Sequence, residues 1–172
     1  EIKGVHLVRK VFVDSTPLDV KLVVVDNVLN LGYSSYDADF FGNLKNIEIV
    51  PGYTQATIDD FFAGIDVLLF PTQWKESFGL TVREALARNI WVICTDAGGV
   101  VEDIVHGENG FIVDFYDQGE AFLQAVLETV KLFQQFSEGS EIVFKASDIR
   151  YFDVQAKELG GPYQRVVDKK NE

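Results

Sequence analysis

Pro71-Thr-Gln-Trp-Lys-Glu-Ser-Phe-Gly-Leu-Thr-Val-Arg-Glu84 is the stretch whose reading decides the fold. It follows a short apolar run, Asp66-Val-Leu-Leu-Phe70, which reads as a buried parallel strand. It leads into Glu84-Ala-Leu-Ala-Arg88, which reads as a helix. A strand that breaks at Pro71-Thr72 and enters a helix at Phe78-Gly-Leu-Thr81 leaves free backbone N–H groups at the helix start. Such a group of amides suits an anion. Glu76 lies in the loop before the helix and Glu84 about a turn and a half inside it, so both acids can face one crevice. Open α/β sheets bind ligands at the carboxyl ends of their strands.

These residue types suit a nucleotide sugar. The N–H groups of Phe78, Gly79, Leu80 and Thr81 can meet phosphate oxygens, and Gly79 permits close approach to the backbone. Glu76 and Glu84 supply acceptors for sugar and ribose hydroxyls. On spacing alone, two ordinary surface glutamates around an ordinary helix fit equally well.

Other segments extend the pattern. Lys21-Leu-Val-Val-Val-Asp26 reads as a strong buried strand and Asn27–Tyr36 as a loop. Residues 1–13 carry helical apolar spacing with Gly4 at the entry, and Thr16-Pro17 breaks that helix. Tyr36–Leu44 reads as a short helix, Asn46–Val50 as a short strand, and Gln55–Gly64 as a helix capped by Thr54 or Thr57. Trp91-Val-Ile-Cys-Thr95 and Phe111-Ile-Val113 read as strands, the first placing Cys94 in the core. Asp117–Phe136 reads as an amphipathic helix with a capping box from Asp117 and Glu120. Two further helical stretches, 141–146 and 149–159, and a Gly160-Gly161-Pro162 break follow. This strand–helix alternation predicts an α/β, Rossmann-like, doubly wound parallel sheet in one domain over 1–172, with a C-terminal helical segment over 148–172.

The composition narrows the function. A net charge of −12, from 15 Lys and Arg against 27 Asp and Glu, argues against general nucleic-acid binding and against docking on anionic lipid. An anionic ligand must therefore be held by local groups against the overall field. One Cys excludes an internal disulfide and fits a reducing compartment. No apolar run approaches a membrane span. His6 and His106 stand alone, without metal-ligand spacing, so no metal site is expected.

Glu76-Ser-Phe-Gly-Leu-Thr-Val-Arg-Glu84 resembles the E-x7-E signature of retaining glycosyltransferases of family 4, in its E-x-F-G-L-T-x-x-E form. Lys3-Gly4, the Ala63–Pro71 strand, Gly98-Gly99-Val-Val-Glu102 and Gly107-Glu-Asn-Gly-Phe-Ile-Val113 match flanking segments in family order. The resemblance is to the C-terminal, donor-binding half of a GT-B enzyme, in which two Rossmann-like domains face each other across a cleft. It implies transfer of a hexosyl unit, with retention, from a UDP- or GDP-sugar to a glycan or lipid-linked acceptor, without a further cofactor. Glu76 would hold the donor sugar and Glu84 the ribose. The amides following Glu76, from Ser77 to Thr81, would join Lys3 in stabilising charge on the leaving diphosphate. The loop at Gly52-Tyr53 would receive the base, with Tyr53 either stacking on it or packed on the surface as a turn-flanking aromatic, and the Gly98-Gly99 loop would border the sugar. Glu102 matches a family glutamate for which a structural role is expected.

Two departures stand out. The family's strand ending in Gly-Arg, just before the first helix, has no counterpart in the chain, which begins at Glu1. The resemblance therefore implies a fragment of a longer chain, inactive alone, whose partner is an N-terminal GT-B domain carrying the acceptor site. Asn89-Ile-Trp91 replaces the usual Gly then Pro-Val-Val. The family's role in envelope polysaccharide and lipopolysaccharide synthesis implies a cytoplasmic protein. The larger protein would stand at the cytoplasmic face of the inner membrane, and any membrane association would come through the absent part. A nucleotide-sugar epimerase, a phosphorylase and a degenerate GT-B module used for interaction are the competing readings.

Overall fold

The computed structural model describes residues 3–13, 18–37, 39–42, 44–136 and 144. The expected C-terminal segment 148–172, with the stretches 141–146 and 149–159, lies outside them, as does the Thr16-Pro17 break. Eleven elements run along the chain: α1 (Val5–Phe12), β1 (Leu22–Val25), a 3-10 turn at Asn27–Leu31, β2 (Ile47–Val50), α2 (Ile58–Phe62), β3 (Val67–Phe70), α3 (Leu80–Leu86), β4 (Trp91–Thr95), a 3-10 turn at Gly99–Val101, β5 (Gly110–Val113) and α4 (Glu120–Gln134).

The class is the expected one, a parallel sheet with helices on both faces. The period-two alternation of β4 builds the two layers. Trp91 and Ile93 enter a core with Leu7, Val11 and Phe12 of α1 and Phe122, Ala125 and Val126 of α4. Val92 and Cys94 enter a second core with Ile58 and Phe62 of α2 and Val82, Ala85 and Leu86 of α3. All five residues of β4 are buried, as a central parallel strand requires. Burial also pushes the Cys94 thiol up to about 12, aided by Asp96 and Glu76, so it rests in the core as a protonated thiol.

The ladders themselves are two, not one. β1 pairs with β2, from Leu22↔Ile47 to Val25↔Val50. β3, β4 and β5 form the other ladder, from Val67↔Trp91 through Thr95↔Val113. Between β1 and β3 runs a cleft of about 1420 Å³, walled by α1 and α4 on one face and by Phe61 and Phe62 on the other. In the common doubly wound order 3-2-1-4-5-6, β2 and β1 take the first two places and β3, β4 and β5 the last three. β1 thus has a cleft rather than a paired strand along its second edge. This corrects the reading of Lys21–Asp26 as fully buried: only Leu22 of β1 is buried, and Val25 is exposed.

Three local expectations also change. Residues 39–42 form turns rather than a helix, because Tyr36, Phe40 and Phe41 pack on one another with ring centroids 4.8–5.4 Å apart. Those contacts favour turns closed by Asp37 and Asp39 carbonyls. α2 spans only Ile58–Phe62, and Thr57 stands at its N-cap without a side-chain capping bond, since its hydroxyl accepts from the Thr54 N–H instead. α4 begins at Glu120 after Gly119, and Asp117 reaches forward to accept from the amides of Gly119, Ala121 and Phe122.

Gly4 joins α1 to the site. Its φ of 74° is left-handed, and a Cβ there would lie 1.7 Å from the Pro71 carbonyl oxygen. The start of α1 is thus pressed against the carboxyl end of β3. Gly4→Ala should lower unfolding stability by at least about 1–3 kcal/mol, from the αL conformation alone. A urea titration checks this; a midpoint within error of the parent's would refute the packing.

Candidate functional site

β3 and β4 deliver their carboxyl ends side by side, and two loops leave them. The first, Pro71–Gly79, enters α3. The second, Asp96–Gly98, enters the Gly99–Val101 turn. They are fused at the backbone: the Glu76 N–H donates to the Ala97 carbonyl at 2.8 Å, and Glu76 bridges to Gly98. A Cβ on Gly99 would lie 2.1 Å from the Ser77 carbonyl oxygen. Gly79 is left-handed at φ 67°, and a Cβ there would meet Val100 Cγ2 at 2.4 Å. Glycine at 79 is therefore required by the neighbouring turn as well as by backbone conformation.

Lys3, Tyr53, Glu76, Gly79, Leu80, Thr81 and Glu84 line one end of the cleft. The two acids thus face the same space. Leu80 and Phe78 are exposed, and the N–H groups of Leu80 and Thr81 stand at the first positions of α3, before intrahelical bonding begins. Lys3 Nζ pairs with Glu76 Oε1 across the mouth, with Lys3 largely exposed and Glu76 mostly covered.

Glu84 is held differently. The Tyr53 hydroxyl donates to Glu84 Oε2 at 2.9 Å and Gln55 Nε2 to Oε1 at 3.3 Å. The Tyr53 ring stacks on Phe61 at 4.7 Å and tilts against Phe62 at 5.3 Å. The Tyr53 ring thus packs against α2, one of its two expected settings, and its hydroxyl orients an acid. Burial, then the Glu84 carboxylate, pushes the Tyr53 phenol up to about 12. Gly52 sits against the turn after β1: Asn30 Nδ2 donates to its carbonyl, and a Cβ would lie 2.2 Å from Asn27 Oδ1. Asn27 itself lines the cleft. At the base of that turn, the Ser35 backbone N–H, its hydroxyl and the Val28 N–H hold the buried Asp26 carboxyl below the usual range.

Gln55, Asn27 and Arg83 were not among the residues singled out from the sequence. Gln55 lies two places beyond Tyr53, and Arg83 directly precedes Glu84, but their partners come from distant segments. Glu102 pairs with Arg83 at 3.1 Å. His6 is exposed, and His106 accepts from the Ile112 N–H through Nδ1 within its own turn. Among the described residues, no three His, Cys, Asp or Glu gather as metal ligands, and no helix is long and apolar enough to cross a membrane.

Folded, Tyr53 ionises above its ordinary value of 10, so its contribution to stability is complete below pH 10 and is lost as pH rises toward about 12. Tyr53→Phe should remove that alkaline dependence and cost about 1 kcal/mol for the lost hydrogen bond. Chemical denaturation across pH 8–11 checks both; an unchanged alkaline slope would contradict the Tyr53–Glu84 contact.

The family model for glycosyl transferases group 1 matches residues 1–138. A capsular polysaccharide biosynthesis glycosyltransferase of Staphylococcus aureus, CapM, is 32% identical over 114 residues, covering 65% of this chain and 30% of its own length. The N-acetyl-alpha-D-glucosaminyl L-malate synthase of Bacillus anthracis is 35% identical over 72 residues, 42% of this chain and 19% of that protein. The chain thus spans less than a third of the length of these relatives. Among solved structures, HepE of Anabaena in complex with UDP matches with a TM-score of 0.60 at 21% identity, covering 78% of this chain and 37% of that one. Sucrose-phosphate synthase of Thermosynechococcus elongatus matches with a TM-score of 0.66 at 16% identity, covering 98% and 43%. These likenesses show a Rossmann-like half of the GT-B kind.

Proposed function

The chain belongs to the group 1 glycosyl transferases, and from that premise we propose that it is the donor-binding domain of a retaining, family-4 type enzyme. It takes a nucleoside diphosphate hexose and passes the hexosyl unit to a glycan or lipid-linked acceptor. The observation that carries this reading is the single cleft end shared by Glu76, Glu84, Lys3 and the first amides of α3. Relatives support the class: CapM is named for capsular polysaccharide synthesis, and HepE is solved with UDP and with UDP-glucose. We therefore take a UDP-hexose as the first probe and a GDP-hexose as the second.

In this reading the two acids divide the donor between them. Glu84, oriented by Tyr53 and Gln55, accepts from the ribose hydroxyls. Glu76 accepts from the hexose hydroxyls and fixes the pose of the sugar. The diphosphate lies over the amides of Ser77 to Thr81, where the α3 start and Lys3 oppose the negative charge that grows on the leaving group. An incoming diphosphate competes with Glu76 for Lys3, so donor binding and release of the Glu76 carboxylate are coupled. Glu76 and Glu84 contact different parts of one donor, so the paired acid and nucleophile of a glycosidase do not apply.

The acceptor site belongs, in this proposal, to a second GT-B domain on the N-terminal side. The match to CapM covers 30% of that protein's length, which supports a partner domain of this kind. Cell-envelope glycans made on the cytoplasmic side are the proposed product class.

Isothermal titration with UDP, UDP-glucose, GDP and GDP-mannose tests the assignment. Glu84→Ala should weaken nucleotide and nucleotide sugar alike, by about tenfold or more. Glu76→Ala should weaken the sugar conjugate more than the free nucleotide. Equal losses in Glu76→Ala would overturn its role, and a folded parent that binds none of the four ligands would favour an interaction module.

A further inference from the structure

One buried cation lies beneath the two fused loops. The Arg83 side chain, on α3, is about 10% exposed. Its Nε meets Asp103 Oδ2 at 2.7 Å, its Nη2 meets Glu102 Oε2 at 3.1 Å, and Nη1 and Nη2 both donate to the Gly99 carbonyl at 3.3 Å. The guanidinium plane lies 3.8 Å from the centroid of the Phe78 ring. One side chain therefore ties the Phe78 segment, the Gly99 carbonyl and the acids after the Gly99–Val101 turn.

We infer that Arg83 is a positioning residue for the sugar end of the donor site, a claim that rests on the donor-binding reading above. It acts through the loops, not by touching ligand. Gly99, which it holds, lies under the Ser77 carbonyl, and Gly98 bridges to Glu76. Phe78, which it stacks on, is the residue between Ser77 and Gly79. Arg83 thus fixes the backbone from which Glu76 and the first amides project. Glu84 is served separately, by Tyr53 and Gln55. The two halves of the site have independent supports, so loss of one should alter selectivity between ligands that differ only by the sugar.

Lysine cannot reproduce this arrangement. Its ammonium is a point charge that can pair with Asp103 or Glu102, but it offers no planar surface to Phe78 and no fork to Gly99. That separates positioning from simple neutralisation of two acids. Small displacements of a binding group carry large costs in recognition.

Arg83→Lys and Arg83→Met decide the matter, with titration of UDP and UDP-glucose against the parent and denaturant midpoints recorded for each. The expected result is that Arg83→Lys keeps a midpoint near the parent's, weakens UDP through the shared amides, and weakens UDP-glucose about tenfold more than UDP. Arg83→Met should lose the same preference with a lower midpoint; if it does not fold, Arg83→Lys alone settles the question. An Arg83→Lys protein with parental preference, or with equal losses for both ligands, overturns the inference and leaves the donor-binding reading intact. A parent that binds neither ligand overturns both.

Discussion

The site depends on two loops that share a backbone. The Glu76 amide bonds to the Ala97 carbonyl, Gly99 passes under the Ser77 carbonyl, and Gly79 packs on Val100. No side chain fits between them, so the glycines act as spacers of zero length. This contact brings the loop after β3 and the loop after β4 into a single wall. The α3 amides, Glu76 and the Phe78 ring all take their positions from it. The parallel pairing of β3 with β4, Phe70 opposite Cys94, sets the two loops side by side in the first place.

Much of the fold was readable because it is written locally. Asp66–Phe70, Trp91–Thr95 and Phe111–Val113 are short apolar runs bounded by turn residues, and each is a strand in the structure, within a residue at either end. Helix α4 shows its face in Phe122, Ala125, Val126 and Thr129, all buried. What sequence reasoning could not reach was set by distant contacts. Residues 39–42 carry helical spacing but form turns around an aromatic trio. β1 has the composition of a buried strand and yet borders a cleft, because burial is decided by what lies alongside, not by the run itself.

The site divides the same way. Glu76, Gly79 and Glu84 lie within one segment, where resemblance to a family signature, not spacing alone, drew them out, and all three line one cleft. The groups that orient them come from elsewhere. Tyr53 and Gln55 reach Glu84 from a loop 29 or more positions away, and Arg83 finds Glu102 across 19 positions and Asp103 one further on. A single sequence carries no signal for such pairings. Tyr53 is the mixed case: its aromatic character fitted a stacking platform or a packed turn residue, and the ring packs on Phe61 while the hydroxyl orients an acid.

The division of the sheet into two ladders carries a consequence for how the site is anchored. Segment 65–113 is contiguous in the chain and holds β3, β4, β5, α3 and the Arg83 clamp. The β1–β2 ribbon joins it through side chains and the α1 anchor at Pro71, with no ladder hydrogen bonds between β1 and β3 among the described residues. Cooperative units follow such seams. The wall around Glu76 keeps its backbone hydrogen bonds within that segment, whereas Glu84 takes its supports, Tyr53 and Gln55, from outside it, so the two acids are anchored in different units of the fold.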